Sequence, residues 1–490
     1  MLAELSKLAA RVKMLEIELG ELKAENAELK RRLGINSHNS STPPSKDTIA
    51  AKAALRANRS SRERSKDRNP GGQRGHEGSG LKRAETPDRI EELEPPECEG
   101  CGEKLVDGQD QGCSWSQVWD IPRLELERVE YLLRRRKCRG CGKTSTARPE
   151  FGIAGAVSYG ANINAAAILL GSEGNVPLER TARLMEMLLG VRVSAGFVAL
   201  AGERMANKLE SAQFEQTMEL ALSAESVLCA DETPVNVLRR DTDEDGAEIA
   251  GAPHVLTVRT PDQRLIWYAA LQSRSSQSIA MATLGILEEY SGYLVRDDYA
   301  GWYQFDAQLA GVQQCAAHLI RHCRAQIDLD SLQQQWAADV IEVLRQVAAI
   351  VEKAKAEKLA YLDSDILARL RARYDAAVQL GIDSNRDRYW YKGNHPAYVL
   401  AKRLQLKAEQ VWLFTQDFRV PWTNNASEQA LREPKRHQVV SGYWHSSATL
   451  GAYLRLRSYL VSARAHGLNA LDAIHSALLG NPWLPLPISN

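Results

Sequence analysis

The chain has 490 residues and a mass of 54.4 kDa, several domains' worth at roughly 150 residues per domain. Apolar residues make up 44% and charged residues 25%, which excludes a mostly disordered or fibrous protein. Lysine plus arginine equal aspartate plus glutamate at 62 each, so contact with a polyanion must come from local charge asymmetry.

No run approaches the ~20 apolar residues of a membrane helix, so no membrane partner is expected. The start, MLAELSKLAARVK, lacks an apolar core followed by a small-residue cleavage site, so no secretory signal is expected. The 8 cysteines are too sparse for a disulfide scaffold, and four of them form two Cys-x-x-Cys pairs. A reduced, cytoplasmic protein follows.

Residues 1–34 carry a heptad seam. Leu5, Val12, Leu19, Asn26 and Leu33 take the a positions, and Leu8, Leu15, Leu22 and Leu29 the d positions. Leucine at d with a single asparagine at a favours a parallel two-stranded coil and fixes its register. The expectation is a leucine-zipper coiled coil that makes a homodimer or higher oligomer through residues 5–33, closed by Gly34. A lone amphipathic helix packed on its own protein is the bland alternative.

Residues 35–90 read as a basic linker. Between Lys52 and Arg83 ten Lys/Arg face three Asp/Glu, and GGQRGHEGSG follows the polar, proline-broken NSHNSSTPPSKD. Apart from a short helix at 48–58, this segment reads as flexible, and it can neutralise phosphates without sequence choice.

Residues 91–150 read as a zinc ribbon. Cys98, Cys101, Cys138 and Cys141 form two knuckles 36 residues apart, each followed by a glycine (Gly102, Gly142) that permits a tight turn. Strands are expected around 115–120 and 128–137. A redox dithiol is the alternative. Cys113, Cys229, Cys315 and Cys323 lack such pairing and are expected to be buried. Arg134, Arg135 and Arg136 beside the second knuckle offer a DNA-facing surface.

Residues 155–215 show helical spacing. A helix, a turn at Gly190 and a second helix opening at Ser194 resemble a helix-turn-helix, although any helical hairpin looks similar.

From residue 216 the period changes. Val227–Ala230, His254–Arg259 and Leu265–Ala269 read as strands, 276–289 as helix, and Gly292–Val295 and Val312–Ala316 as two further strands. That order fits a ribonuclease-H-like sheet over 216–320. In such a sheet the first and fourth strands are neighbours, so Asp231 and the pair Asp297 and Asp298 would lie side by side. A third carboxylate, Glu428, opens a helix at Thr423–Leu431. Such carboxylates repel one another unless divalent metal is bound, and two Mg²⁺ ions suit phosphodiester chemistry. Each residue has an ordinary alternative. Asp231 can end a strand, Asp297 and Asp298 can open a turn, and Asn425-x-x-Glu428 fits a capping box. The dense carboxylates Asp241, Asp243, Glu244 and Asp245 read as a solvated hairpin loop. A helical insertion fills 321–415. There Trp336, Val340, Ile341, Leu344, Val347 and Val351 trace one buried face, and Tyr398, Leu400 and Trp412 suggest a later one. Residues 416–490 complete the core with the glutamate helix and a tail.

The motifs DETPV at Asp231, RDDYAGW at Asp297, CAAHLIRH at Cys315 and TNNASEQALREPK around Glu428 resemble those of the insertion-sequence sixty-six family of transposases. NSSTPPSKD, GGQRGHEG, the knuckles and SARAHGLNALDAI match the same layout, so the resemblance covers nearly the whole chain. It implies a bacterial, nucleoid-associated DDE recombinase with Asp231, Asp297 and Glu428 as catalytic residues on two Mg²⁺ ions (Mn²⁺ as a substitute), and Zn²⁺ in the ribbon. Aligning Tyr299-Ala300-Gly301 favours Asp297 over Asp298. Water would attack first, and the freed 3′ hydroxyl would then attack target DNA. Lys435 and Arg436 are placed as DNA contacts, although Pro434 threatens to end their helix first. The family's usual glycine-arginine-lysine-asparagine is replaced here by Lys435-Arg436-His437-Gln438. Cys315 and His318 would support the site. DNA ends, target DNA and accessory proteins of the element are the partner classes. The rival readings are a non-catalytic zinc-ribbon DNA-binding regulator and a ribonuclease-H-like nuclease. The expected fold is multidomain α+β.

Overall fold

The computed structural model describes residues 2–40, 47–49, 51–53, 80–105, 108–121, 124–147, 157–240 and 252–485. The chain forms two compact units, one of residues 49–125 and one of residues 1–48 with 126–490. Most of the basic segment and the acidic residues 241–245 lie outside the described residues; of the short helix expected at 48–58, residues 49 and 51–53 are described and are helical.

In the smaller unit the first knuckle is a tight turn. Cys98 N–H donates to Glu103 O at 2.8 Å and Gly102 N–H to Cys98 O at 2.8 Å. Gly102 has φ +75°, a left-handed value that glycine adopts without strain. The strand expected at 115–120 does not form. A strand needs a partner and a core, but Trp115, Val118 and Trp119 are exposed and the described residues of this unit pair only at the bridge Glu97–Lys104. Cys113, expected to be buried, is exposed, because no core forms around it among those residues.

In the larger unit the second knuckle repeats the first. Cys138 N–H donates to Lys143 O at 2.8 Å and Gly142 N–H to Cys138 O at 3.0 Å. Strands β1 (Arg135–Lys137) and β2 (Thr144–Thr146) flank it as an antiparallel pair, so the strand expected over 128–137 is only its last three residues.

The N-terminal helix α1 (Leu2–Gly34) is unbroken. Its leucine seam is exposed at Leu8, Val12, Leu15, Leu19, Leu22 and Leu29, while Ala24 and Glu28, off that seam, are buried. Just beyond the helix, Asn39 donates to Asp328 Oδ2 at 3.0 Å.

Four helices follow: α2 (Ala161–Ile168), α3 (Leu178–Leu189), α4 (Ala195–Ser211) and α5 (Phe214–Ser223). The expected helix, turn and helix are present. Helix α3 ends on Gly190 at φ +66°, and α4 opens on Ser194, whose hydroxyl accepts from Phe197 N–H.

The central sheet has five strands: β3 (Val227–Pro234), β4 (His254–Arg259), β5 (Ile266–Leu271), β6 (Tyr293–Arg296) and β7 (Gly311–Gln314). Their order is β5-β4-β3-β6-β7. The first three are antiparallel neighbours, and β6 and β7 run parallel to β3. The first and fourth strands are adjacent, as their order along the chain suggested. The helical stretch after β5 is split at Thr283 into α6 (Ser276–Ala282) and α7 (Leu284–Leu287). Strand β7 ends at Gln314, because Cys315 caps the next helix, α8 (Ala316–Leu329).

The insertion is helical: α9 (Gln335–Ala356), α10 (Ser364–Asn385), α11 (Pro396–Leu406) and α12 (Ala408–Trp412). All six expected residues of the first face are buried in one core, with Leu400 and Trp412, and Tyr398 packs against them. Gly381 makes room for Trp336, since a Cβ there would stand 2.5 Å from the indole.

Helices α13 (Asn425–Ser441), α14 (Ser447–Ala465) and α15 (Ala470–Leu478) complete the fold. Helix α14 covers the edge strand β5. Ser458 and Ser462, one turn apart, accept from the N–H groups of Tyr268 at 2.9 Å and Ile266 at 3.1 Å, satisfying donors that an open edge would leave unpaired.

Candidate active site

Strands β3 and β6 pair in register up to Cys229 opposite Val295. Asp231 and Asp297 each lie two residues beyond that pair. Asp231 lies within β3 and Asp297 just past the end of β6, on neighbouring strands roughly 4.8 Å apart.

The third carboxylate is brought in by helix α13, which is tied to the sheet beside Asp231. Asn424 Nδ2 donates to the carbonyl of Ala230 at 2.7 Å, and Asn424 N–H donates to Cys315 Sγ at 3.2 Å. Ser427 donates to Asn424 Oδ1 and accepts from Arg259 Nε at 2.8 Å. Asn424 and Ser427 are buried. The helix start therefore registers against β3 and α8 together. The capping box does not form, because the cap is Asn424 and its third position is Ser427. Glu428 instead accepts from Arg321 Nη2, and His318 Nε2 lies 3.8 Å from the same oxygen.

Burial and neighbouring negative charge act together on these carboxylates. Asp231 is only 8% exposed and accepts from the Glu232 N–H at 3.0 Å. Burial pushes its carboxyl well above the usual range, and the negative charges of Glu232, Asp297 and Glu428 push it further. Glu232 is pushed up to about 7, first by burial and then by Asp297. Among the described residues no ion pair neutralises Asp231, and no group of three or more His, Cys, Asp or Glu side chains is drawn together tightly enough to hold a metal ion.

The two neighbouring aspartates differ. Asp297 Oδ1 accepts from Tyr299 N–H at 3.0 Å, and its Oδ2 lies 3.4 Å from Arg274 Nη2. Asp298 is paired with Lys407 and with Arg403 at 3.3 Å, and accepts from Tyr303 Oη at 2.8 Å. Its carboxyl stays below the usual range despite burial, held there by the Lys407 and Tyr303 hydrogen bonds and the nearby Arg403.

Cys315 is buried, its thiol pushed up to about 12 by burial. His318 is pushed down by burial and by Arg321, and its Nδ1 has no hydrogen-bond partner among the described residues. Pro434 does not end α13. The carbonyl that a proline leaves unpaired four residues back, that of Ala430, accepts from Tyr268 Oη at 3.1 Å. Lys435, carried past it, donates to the Pro234 carbonyl at the end of β3, and Arg436 pairs with Glu433 at 2.7 Å. Arg134, Arg135 and Arg136 are exposed on and beside β1. In each knuckle the first thiol, Cys98 or Cys138, receives backbone N–H groups from the second cysteine and the glycine before it, which lowers its pKa.

Four residues of this site gave no separate signal in the sequence reading: Glu232, Arg274, Trp302 and Arg321. Arg321 could have been found, since it follows His318 by three residues on one helix face. Arg274 sits in a serine-rich loop with no motif around it.

Residues 156–451, more than half of the chain, match the transposase IS66 family. Residues 2–82 match a family of unknown function, DUF6444. No curated protein matches the chain. Among solved structures, the chain is similar to one described as the Drosophila P element transposase strand transfer complex. The identity is 11% and the TM-score 0.31, over 64% of this chain and 94% of that one, too distant to bear on the fold.

Proposed function

The chain belongs to the transposase IS66 family, and from that premise we propose that it is a DDE recombinase that cuts and joins DNA at the ends of an insertion sequence. Asp231, Asp297 and Glu428 are its catalytic carboxylates, on a ribonuclease-H-like sheet. The observation that carries this reading is the buried Asp231, left without an ion pair among the described residues while Glu232, Asp297 and Glu428 press on it.

Such a donor set fits a hard divalent cation. Two Mg²⁺ ions, or Mn²⁺ in their place, held by Asp231, Asp297 and Glu428 would supply an activated oxygen nucleophile and charge stabilisation at the leaving oxygen. The chain's own residues set the geometry. Asn424 fixes the Glu428 helix to the strand of Asp231, and Cys315 fixes that helix start to α8. Arg321 orients Glu428, and His318, its pKa lowered by burial, lies beside it. Arg134, Arg135, Arg136, Lys435 and Arg436 are the proposed phosphate contacts, and the helix-turn-helix of α3 and α4 the proposed DNA-binding element.

The test is strand joining in vitro with Mg²⁺, labelled element ends and a plasmid target, beside an Asp297→Ala variant. Joined product that disappears in the variant is the expected result. Cleavage without joining by the unaltered protein would favour a nuclease, and binding without chemistry a regulator.

Two further parts of the reading share one preparation. The exposed leucine seam of α1 supports a parallel two-stranded coil between subunits. The N–H groups aimed at Cys98 and Cys138 support structural Zn²⁺ on Cys98, Cys101, Cys138 and Cys141. Sedimentation should give a dimer or larger species that Leu15→Asp with Leu22→Asp dissociates. Elemental analysis should find zinc that Cys138→Ser releases. A monomer, or a zinc-free protein, refutes the corresponding part.

A further inference from the structure

A fourth carboxylate and an arginine stand behind the three proposed catalytic residues. Glu232 follows Asp231 on β3, so its side chain leaves the opposite face of the strand. It is fully buried, with a side-chain exposure of 0%. Its Oε2 accepts from the indole N–H of Trp302 at 3.1 Å, and its Oε1 from Arg274 Nε at 2.6 Å. The Arg274 guanidinium stacks 3.8 Å over the Tyr299 ring, and the Tyr299 hydroxyl donates to the Arg274 carbonyl. Held this way, the guanidinium reaches Asp297 Oδ2 at 3.4 Å, yet the Arg274 side chain remains 41% exposed.

A cation anchored by a buried carboxylate but left open beside a catalytic aspartate is more than a structural pair. Pairing inside the protein alone would draw the arginine inward. Here the anchor is buried, with Nε and Nη2 both 2.6 Å from Glu232 Oε1. The Nη1 side of the 41% exposed side chain is left at the rim, where it can meet a phosphate with little loss of side-chain freedom. We propose that Arg274 binds a phosphate of the reacting DNA strand next to the scissile bond, and that Glu232, with Trp302 behind it, is the positioning residue that aims it. The proposal rests on the DDE reading. It adds a protein cation to the charge stabilisation that phosphoryl transfer demands, on the side of the site marked by Asp297.

The test uses the full chain in the strand-joining reaction, with Mn²⁺ binding by calorimetry and binding of duplexes whose phosphates beside the scissile bond are replaced by neutral methylphosphonates. Arg274→Ala should lose joining by about 100-fold, the scale of removing one preorganised charge donor. It should bind Mn²⁺ as tightly as the unaltered protein or more tightly, since a cation next to Asp297 has gone. Methylphosphonates should weaken DNA binding by the unaltered protein and have no further effect on Arg274→Ala. Arg274→Lys should recover only part of the loss, because a point charge lacks the fork. Glu232→Gln should lose about tenfold and blunt the methylphosphonate effect; a purely structural Glu232 would leave that effect intact. Joining by Arg274→Ala within threefold of the unaltered protein, or equal methylphosphonate sensitivity in both, overturns the proposal. Failure of the underlying reading looks different: Asp297→Ala then joins DNA as well as the unaltered protein does.

Discussion

Two carboxylate neighbourhoods meet at the end of β6, and the fold treats them in opposite ways. Asp298 is neutralised on every side, by Lys407, Arg403 and the Tyr303 hydroxyl, and its acidity is strengthened. One residue earlier, Asp297 faces Asp231 and Glu232, whose carboxyls are pushed up by burial and by their neighbours' charge. Burying like charges together is costly. Glu232 and Asp297 share Arg274 and Glu428 has Arg321, but Asp231 has no ion pair among the described residues. A buried carboxylate left in repulsion with its neighbours marks a place kept for chemistry.

That contrast predicts a separation of activity from stability. Asp297→Asn should reduce strand joining by a thousandfold or more, on the order expected when a group acting only in the transition state is lost, with little change in stability. Asp298→Asn should do the reverse. It leaves Lys407 and Arg403 partly buried without their partner, at a cost of about 2 kcal/mol in stability, while joining stays within tenfold. Parallel thermal melts and joining assays on the two variants measure both axes. If Asp298→Asn were the inactive protein and Asp297→Asn the unstable one, the two residues would have to exchange roles.

Much of this arrangement was legible in the chain. The order of strands along the chain follows from apolar runs and the turns between them, its likeness to a ribonuclease-H-like sheet led to the expectation of β3 beside β6, and Asp231 and the Asp297–Asp298 pair stand at the ends of those runs. The 3.6-residue spacing from Trp336 to Val351 marked a buried face, and that face is buried. The same kind of regularity in α1 marked a face that is exposed among the described residues. Periodicity identifies an apolar side but not its occupant. What was illegible depends on contacts distant in sequence. The cations that separate Asp298 from Asp297 come from α11 and the residue after it, more than a hundred positions away. Pro434 looked like a helix end because its local effect is to remove a hydrogen bond; the Tyr268 hydroxyl that offsets the loss lies on β5. The strand expected at 115–120 had the right residues but no partner.

The smallest effect separates the two neighbourhoods by pH. Asp231 and Glu232 have folded-state pKa values above their unfolded ones, so between those values the folded protein binds more protons than the unfolded chain. Their contribution to stability is therefore present at low pH and is lost as pH rises, for Glu232 from about 4.5 towards about 7. Asp298 has the opposite sign. Its folded value is lowered, so its contribution is present above about 3.8 and is lost as pH falls below that. The two windows barely overlap, which makes them separable by melting metal-free protein across pH. Asp231→Asn should match the unaltered protein near pH 4 and melt at a higher temperature than it at pH 8. Mg²⁺ should narrow the gap at pH 8 by stabilising the unaltered protein alone, because it discharges the same repulsion. An Asp231→Asn melting curve that runs parallel to the unaltered one from pH 4 to 8 would mean that the cluster carries no stored repulsion, and the contrast with Asp298 would then lose its physical basis.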